Sequence, residues 1–533
     1  MKETARHPYP AAYDAVVVGS GLAGGWAAKE LTEAGLHVLV VEAGPFIDPI
    51  KLELSQEYSV QERAKLASRQ PIQSKHPSYW LDNPKLFVDD LENPYSTDGH
   101  PFIWIRGRQV GGRSLTWLGI CLRFSDFEFL GPEREGFGQN WPIRYGELAP
   151  FYDRVETFLQ VQGSKDGIPQ LPDGPFAAPP TLTHDELRFR RLIALKWPDR
   201  PLIQSRGLQL LTSHTQQSNN AWSQRSNLGN TIPAALRTGR LTLMPNTIVS
   251  HLRVDENNGT ISALFCIDRL SKQGFEIPVK LCILCASTLE SVRIMLNSKS
   301  SKHPGGVGNS SGLLGRFLFD HRALSFGGRI INPQTSVKPA QLGGAHGVLV
   351  PRFRNLPGDH RGYKGGFGMW GFMHRQFDWI PSRPSQWMLT SMLEVLPRPS
   401  NRIDIDQHAV DAWGIKIAKI YFQYGDNEEG MTRDARTCML EMLEAAGVAP
   451  QYEAVTIPGQ YVHELGGARM GNDPTSSVLN RFNQCWDATN LFVVDGSCFV
   501  SAGWQNPSLT IMALAARACQ YIATKRSDYA ING

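Results

Sequence analysis

The chain has 533 residues, 41% of them hydrophobic, and a formal net charge of +4. That length and apolar content allow more than one core, and so small a charge, spread without long basic runs, gives no case for nucleic acid. No apolar run reaches the roughly 18 residues that a membrane-spanning helix requires. The first ten residues carry neither an apolar core nor twin arginines, so the protein is read as cytoplasmic, with no membrane span.

The first predicted unit runs from Asp14-Ala-Val-Val-Val-Gly19-Ser-Gly21-Leu22-Ala23-Gly24 to Val38-Leu-Val-Val-Glu42. It reads as buried strand, glycine turn, helix, second buried strand and terminal acid, the context that makes a GxGxxG run specific. Gly19 allows the tight turn, Gly21 lets backbone approach a pyrophosphate, and Gly24 lets helix pack closely on strand. Free N–H groups and the dipole at the helix start hold a diphosphate. Glu42 can accept hydrogen bonds from a ribose diol. This is a dinucleotide site, and the motif does not choose between NAD and FAD.

Residues 46–100 are polar and Pro-rich with little periodicity, and are read as a lid or surface excursion. A second glycine-rich run follows at Gly107-Arg108-Gln-Val-Gly111-Gly112-Arg-Ser114-Leu-Thr116-Trp117. A helix is expected to start near Tyr145, and 163–183 read as a Gly/Pro-rich link. Residues 241–244, 248–254, 261–267 and 279–285 read as strands, the last meeting a helix start at Ser287. From 323 to 424, six stretches (324–330, 347–351, 367–374, 387–394, 402–405 and 415–424) are broken by Gly, Pro and Asp turns. No helix-length segment separates them, which predicts one antiparallel sheet. Residues 428–446 are predicted as an amphipathic helix.

At the far end, 491–498 read Leu-Phe-Val-Val-Asp495-Gly496-Ser-Cys, and Gly503-Trp-Gln-Asn506-Pro507-Ser508 precedes an Ala- and Leu-rich helix. Asn506 suits its N-cap and Pro507 its first position. A second helix N-terminus therefore follows a strand ending in Asp-Gly. A flavin needs such a device, because negative charge appears at its N1–C2=O edge when it accepts a hydride.

Together these segments resemble the glucose-methanol-choline (GMC) flavoprotein oxidoreductases. The N-terminal unit and the 107–117 loop match, as do Gly315-Arg-Phe-Leu-Phe-Asp320-His321, His463-Glu-Leu-Gly466-Gly467-Ala-Arg-Met470-Gly471 and the run 495–508, in family order over nearly the whole chain. The Arg-Met-Gly and Gln-Asn-Pro-Ser variants look closest to pyranose 2-oxidases and bacterial glucoside 3-dehydrogenases. The resemblance implies an α/β fold with a Rossmann-like FAD-binding domain assembled from 12–45, 101–130, 236–322 and 455–533. It implies a second, substrate-binding domain on an antiparallel sheet from 131–235 and 323–454. Implied cofactor contacts are Gly19, Gly21, Leu22, Ala23, Gly24, Glu42, Arg108, Gly111, Gly112, Ser114, Thr116, Val249, Asp495, Gly496, Asn506, Pro507 and Ser508.

Oxidising a carbinol requires, beside the flavin, a base for the hydroxyl proton and a polar group for the alkoxide-like oxygen. A neutral imidazole suits the first task. In the family a His and a His-or-Asn pair faces flavin N5, which carries onto His463 and Asn506. The residues alone leave other uses open. A histidine in a turn often serves only local hydrogen bonding, and an asparagine that caps a helix has less freedom to hold substrate. A zinc-protease reading of His463-Glu464 fails, because Gly467 stands where HExxH needs its second histidine. The expected reaction is FAD-dependent oxidation of a secondary hydroxyl of a sugar or glycoside to a ketone, with His463 as base and hydride transfer to flavin N5. A non-sugar alcohol substrate, or a non-redox lyase on the same fold, are the alternatives.

Two departures from the resembled pattern matter. Pyranose 2-oxidases carry, at the position of Thr116, a histidine that binds flavin covalently; a threonine hydroxyl is no suitable nucleophile, so the FAD is expected to be non-covalent. Many bacterial relatives are rich in Cys and Gly across 211–235, where this chain has Gln216-Gln-Ser-Asn-Asn-Ala-Trp-Ser-Gln-Arg, which speaks against a sulfur-based acceptor site. No Cys-x-x-Cys-His occurs, so no covalent haem is expected and electrons pass to an external acceptor. The cysteines, Cys282 and Cys285 included, read as core, and no metal site is expected. His321 is read as ordering the crossing between the sheet and the flavin unit, with a second pocket base as the alternative. His374, Trp104, Trp117, Trp370 and Trp504 are candidates to meet a sugar, against the commoner use of aromatics as core.

Overall fold

The computed structural model describes residues 13–48, 58–75, 80–81, 83–208, 226–329, 340–342, 347–377 and 386–529. The Gln216–Arg225 stretch and the first ten residues lie outside the described residues, as does the side chain of His374.

Five parallel strands form one sheet, in the order Leu491–Val493, Cys282–Leu284, Ala15–Val18, Val38–Val41 and Leu241–Met244. All four residues of Ala15–Val18 are buried, as expected of a strand covered on both faces. Each such apolar side chain removed from water contributes on the order of 2 kcal/mol. Because the strands are parallel, their carboxyl ends share one edge. Gly19, Glu42, Cys285 and Asp495 follow four of them there, the edge at which open α/β sheets bind ligands.

The glycines of the first turn have separate reasons. Gly19 has φ +96°, and a Cβ there would lie 2.5 Å from the Cys285 carbonyl oxygen. A Cβ on Gly24 would lie 1.8 Å from the Gly19 carbonyl oxygen, so only glycine lets the Leu22–Glu33 helix seat this closely. A Cβ on Gly21 would meet nothing within 4 Å. The Leu22–Glu33 helix packs against Ser508–Thr524 and Thr231–Arg237.

An antiparallel meander of Thr247–Val254, Ile261–Asp268 and Gly274–Pro278 follows the last parallel strand. Its third strand was not expected, and the stretch expected at 279–285 is strand only over Cys282–Leu284.

The second large sheet has the order Tyr452–Val455, His321–Arg329, Gln386–Glu394, Phe367–Phe377, Val348–Val350 and Ile203–Gln204. These neighbours pair antiparallel; Ala340–Leu342 joins Phe367–Phe377 in parallel. The expectation of a single sheet through 424 fails. Arg402–Val410 and Lys416–Tyr421 form a separate hairpin, joined by the two-residue strand Ser96–Thr97. Alternation along a strand tells which side chains face inward, not which sheet a hairpin enters.

The helix expected at 428–446 runs Asp426–Ala445, with Asp426, Glu428 and Glu429 favourably placed in its first turn. Its stripe of Met431, Ala435, Cys438, Met439 and Met442 packs with Phe367, Met369 and Leu393 of the sheet. Trp370, Phe372 and Met392 instead pack with Trp504, which ties the sheet to the loop before the last helix.

Within 46–100, Ser59 and Glu62 form a capping box for the helix Val60–Arg69, a signature that the sequence reading passed over. Trp80, Leu86 and Phe87 are buried against Ile103, Ile105 and Leu115. All eight cysteines are buried and unpaired. Among the described residues no helix is long and apolar enough to cross a membrane.

Candidate active site

A deep cavity opens at the carboxyl edge of the parallel sheet. Of the residues expected to hold a cofactor or substrate, Gly19, Gly21, Leu22, Ala23, Glu42, Arg108, Gly112, Ser114, Thr116, Val249, His463, Asp495, Gly496, Asn506, Pro507 and Ser508 all line it. Gly24 and Gly111 do not; they act behind the wall, Gly24 in helix packing and Gly111 with φ +93° in the second glycine turn.

At one end, the Leu22–Glu33 helix begins at Gly21 with no side chain capping it. Open space over Gly21 and uncapped backbone N–H groups make an anion seat. Arg108 donates from Nη2 to Glu290 Oε1 at 3.1 Å, and its buried Nη1 has no hydrogen-bond partner among the described residues. The burial of Glu290 is outweighed by Arg293, Arg108 and Arg106, which hold its carboxyl at about 2.

Several expected contacts are engaged inside the protein. Glu42 accepts from the Ser20 backbone (3.0 Å), the Ser20 hydroxyl (2.7 Å) and the Gly44 N–H (2.9 Å). Burial raises its pKa against those bonds. Asp495 Oδ1 accepts from the Ser497 N–H and hydroxyl, and Oδ2 accepts from Ser291. The Ser114 hydroxyl donates to the Gly111 carbonyl at 2.6 Å and accepts from the Asn227 N–H at 3.0 Å.

At the other end stand His463 and Asn506. The N-terminal flank of the last helix departs from expectation: Pro507 occupies the cap position, the helix starts at Ser508, and no side chain caps it. Asn506 instead turns its Nδ2 towards His463 Nε2 at 3.4 Å, while its buried Oδ1 has no partner among the described residues. The capping role fails because the amide is directed into the cavity. His463 Nδ1 lies 3.1 Å from His321 Nδ1. The backbone N–H groups of His321 and His463 both donate to Asp320 Oδ1, at 2.7 and 2.9 Å. Tyr461 stands edge-on to the His463 ring at 4.9 Å. Burial, then the nearby His321 and Arg113, hold the His463 pKa well below the ordinary histidine value.

Comparison with known proteins follows this geometry. The GMC oxidoreductase family profile matches residues 397–515, and an FAD binding domain profile matches 14–48. The chain is 27% identical to 2-methyl-1,2-propanediol dehydrogenase of Mycolicibacterium austroafricanum, over 97% of this chain and 96% of the relative. It is 25% identical to the fructose dehydrogenase large subunit of Gluconobacter japonicus, over 96% and 97%. Its C-terminal part is similar to the GMC oxidoreductases. A formate oxidase structure from Aspergillus oryzae, 15% identical and covering 97% of this chain and 99% of its own, superposes with a TM-score of 0.65. The protein has an FAD-binding fold and acts as an FAD-dependent oxidoreductase.

The most consequential residue that sequence reasoning missed is Asn227. It is buried, and its Nδ2 donates to the carbonyls of Ser20 and Gly21. Its own N–H is held by Ser114, and Ser20 accepts from the Gly111 N–H at 3.0 Å. Asn227 therefore fastens the two glycine turns to each other. Asn227 stands apart from every recognised motif, so nothing local announces it. Of the four candidate tryptophans, Trp104 and Trp117 line the cavity, whereas Trp370 and Trp504 are packed behind it as core.

Proposed function

We propose that this enzyme oxidises a secondary hydroxyl of a sugar or glycoside to a ketone, with His463 as the base. The observation that carries the reading is the approach of Asn506 Nδ2 to His463 Nε2, 3.4 Å apart on the cavity wall. An alcohol oxygen lodged beside both nitrogens is within hydrogen-bond reach of each. His463 takes the hydroxyl proton, and Asn506 holds the oxygen as negative charge grows on it. Burial favours the neutral imidazole, which is the form that accepts a proton.

FAD, when bound, supplies the hydride acceptor. Gly21, the uncapped start of the Leu22–Glu33 helix and Arg108 are suited to its diphosphate, and the uncapped start of Ser508–Thr524 to the flavin end. The FAD is held non-covalently on this reading. Thr116 is engaged locally, its hydroxyl 3.3 Å from the Arg113 carbonyl. Denaturation in acid is expected to release the yellow flavin into the supernatant; colour that stays with the precipitate overturns non-covalent binding. Electrons then pass to an external acceptor, with a dye, quinone or protein favoured over oxygen.

The fructose dehydrogenase relative and the aromatic wall of Trp117 and Tyr461 support a sugar. Every strand of the parallel sheet falls within 12–45, 236–322 or 455–533, which supports assigning those segments to the cofactor and the antiparallel sheet to substrate. The diol dehydrogenase relative favours a second reading, a small non-sugar alcohol. Turnover of a panel of sugars, glycosides, aliphatic alcohols, choline and sterols, with products identified by NMR, separates the two. Keto-sugars are expected; turnover confined to the other classes overturns the sugar assignment.

A further inference from the structure

We infer that His321 is a positioning residue that fixes the tautomer of His463, so that the nitrogen facing Asn506 is the bare, proton-accepting one. The inference rests on the reading of His463 as the base.

The Gly503 carbonyl can only accept a hydrogen bond. His321 Nε2 lies 2.6 Å from it, so that nitrogen carries a proton and donates. His321 is 1% exposed. Burial pulls its pKa down to about 4, so at neutral pH the ring carries that one proton and no other. Its Nδ1 is then bare. His463 Nδ1 faces it at 3.1 Å. Two bare nitrogens in that position would repel, so His463 Nδ1 carries the proton and donates. The His463 ring is also neutral, which leaves its Nε2 bare. Asn506 must then present its amide nitrogen to Nε2, and it does, leaving its Oδ1 as the atom without a partner. One directed series of donors runs from Asn506 through both rings to Gly503.

The surroundings hold both rings in place. Asp320 Oδ1 accepts from both histidine N–H groups, and the rings meet edge to face at 5.0 Å. Asp320, Glu464 and Arg113 are the charged groups closest to the pair; Arg113 is bound to Glu464 Oε2 at 2.9 Å. With the opposite tautomer, His463 would turn N–H towards the alcohol and could not take its proton. The orientation of a base by a second group that selects its tautomer is a known requirement of proton transfer.

The test uses the FAD-loaded enzyme. Nitrogen-15 NMR of labelled histidines distinguishes a protonated from a bare ring nitrogen, with His463 assigned by its absence in His463→Ala. Wild-type His463 is expected to show a protonated Nδ1 and a bare Nε2. His321→Leu removes the acceptor and is expected to slow flavin reduction by roughly 10- to 100-fold, with little change in substrate affinity and with part of His463 converted to the other tautomer. His321→Asn keeps an acceptor at the position of Nδ1 and is expected to restore most of the rate. Bound FAD and thermal unfolding check that each variant folds; where neither does, the wild-type spectrum decides alone. A protonated Nε2 in the wild type overturns the inference, as does wild-type reduction by His321→Leu, or a slowed His321→Leu whose His463 tautomer is unchanged. Failure of the underlying reading looks different: His463→Ala then reduces its flavin at a near-normal rate, whichever tautomer is found.

Discussion

Asn506 points its amide nitrogen at His463 Nε2, 3.4 Å away, and takes no part in capping the helix that begins two residues later at Ser508. Losing a capping side chain typically costs about 1 kcal/mol, so Asn506→Ala is expected to spare thermal stability. It is expected instead to slow flavin reduction by about 10²-fold or more, the usual loss of an oxyanion donor, with a smaller effect on substrate binding. Asn506→His should keep more of the rate. Stopped-flow reduction at several substrate concentrations separates rate from affinity; a change in affinity alone makes Asn506 a binding residue only.

On the proposed mechanism, His463→Ala removes the group that takes the proton. Flavin reduction by substrate is expected to fall by about two to four orders of magnitude, with FAD retained, because the diphosphate seat proposed at Gly21 and Arg108 is left unchanged. Anaerobic bleaching of the flavin reads this out. Near-normal bleaching would place the base elsewhere.

Gly21 and Gly24 separate cofactor binding from folding. Gly21 has φ −64°, which any residue adopts, and a Cβ there meets nothing. Gly21→Ala is expected to leave the apoprotein within about 0.5 kcal/mol of wild type and to weaken FAD by roughly tenfold or more, since one clash of about 1.4 kcal/mol suffices. Gly24→Ala forces its Cβ onto the Gly19 carbonyl and should destabilise the apoprotein itself by about 1–3 kcal/mol. Denaturation of apoprotein and flavin titration compare the two. A Gly21→Ala protein that binds FAD normally removes Gly21 from the diphosphate seat.

The histidine pair makes a signed prediction about pH. Burial lowers His321 from 6.5 to about 4, and His463 is lowered too, by burial and then by His321 and Arg113. The unfolded chain binds protons at the ordinary histidine pKa, where the folded rings stay neutral. Their contribution is therefore intact above about 6.5 and is lost as pH falls from there towards 4. His321 alone accounts for about 3 kcal/mol over that window. The denaturation midpoint of the wild type relative to His321→Asn should fall along this acid limb, a difference that isolates the histidine from buried acids such as Asp320, whose raised pKa has the opposite slope. With His463 as the proposed base, the rate of flavin reduction should show no inflection at an ordinary histidine pKa, because that ring is already neutral there; a step at that pH contradicts a depressed His463.

The parts legible in the sequence were those written locally. Ala15–Val18, the glycine turn and Val38–Val41 are consecutive, and their apolar runs and glycines specify them without help from elsewhere. His463 and Asn506 stood out in the sequence because each sits in a segment that resembles a family pattern, and the structure brings both to one cavity wall. Long-range pairing was not legible. Nothing in Arg402–Val410 shows that its hairpin leaves the large sheet for the two-residue strand Ser96–Thr97. The cap was misassigned for a related reason: Asn506 and Pro507 both suit the start of a helix, and the direction of an amide is decided by what faces it, here a histidine 43 positions away.

The ring of hydrogen bonds through Ser20, Gly111, Ser114 and Asn227 is closed by protein atoms alone. These bonds tie the two glycine turns directly to each other. Flavin uptake is then expected to be docking into a largely preformed seat, with little binding free energy consumed in ordering loops. Its heat-capacity change should reflect only the surface the ligand covers, without the larger signature of coupled folding. Apoprotein stripped of its cofactor should consequently accept flavins altered in the ring system, which would let the reduction potential of the enzyme be reset without touching its sequence.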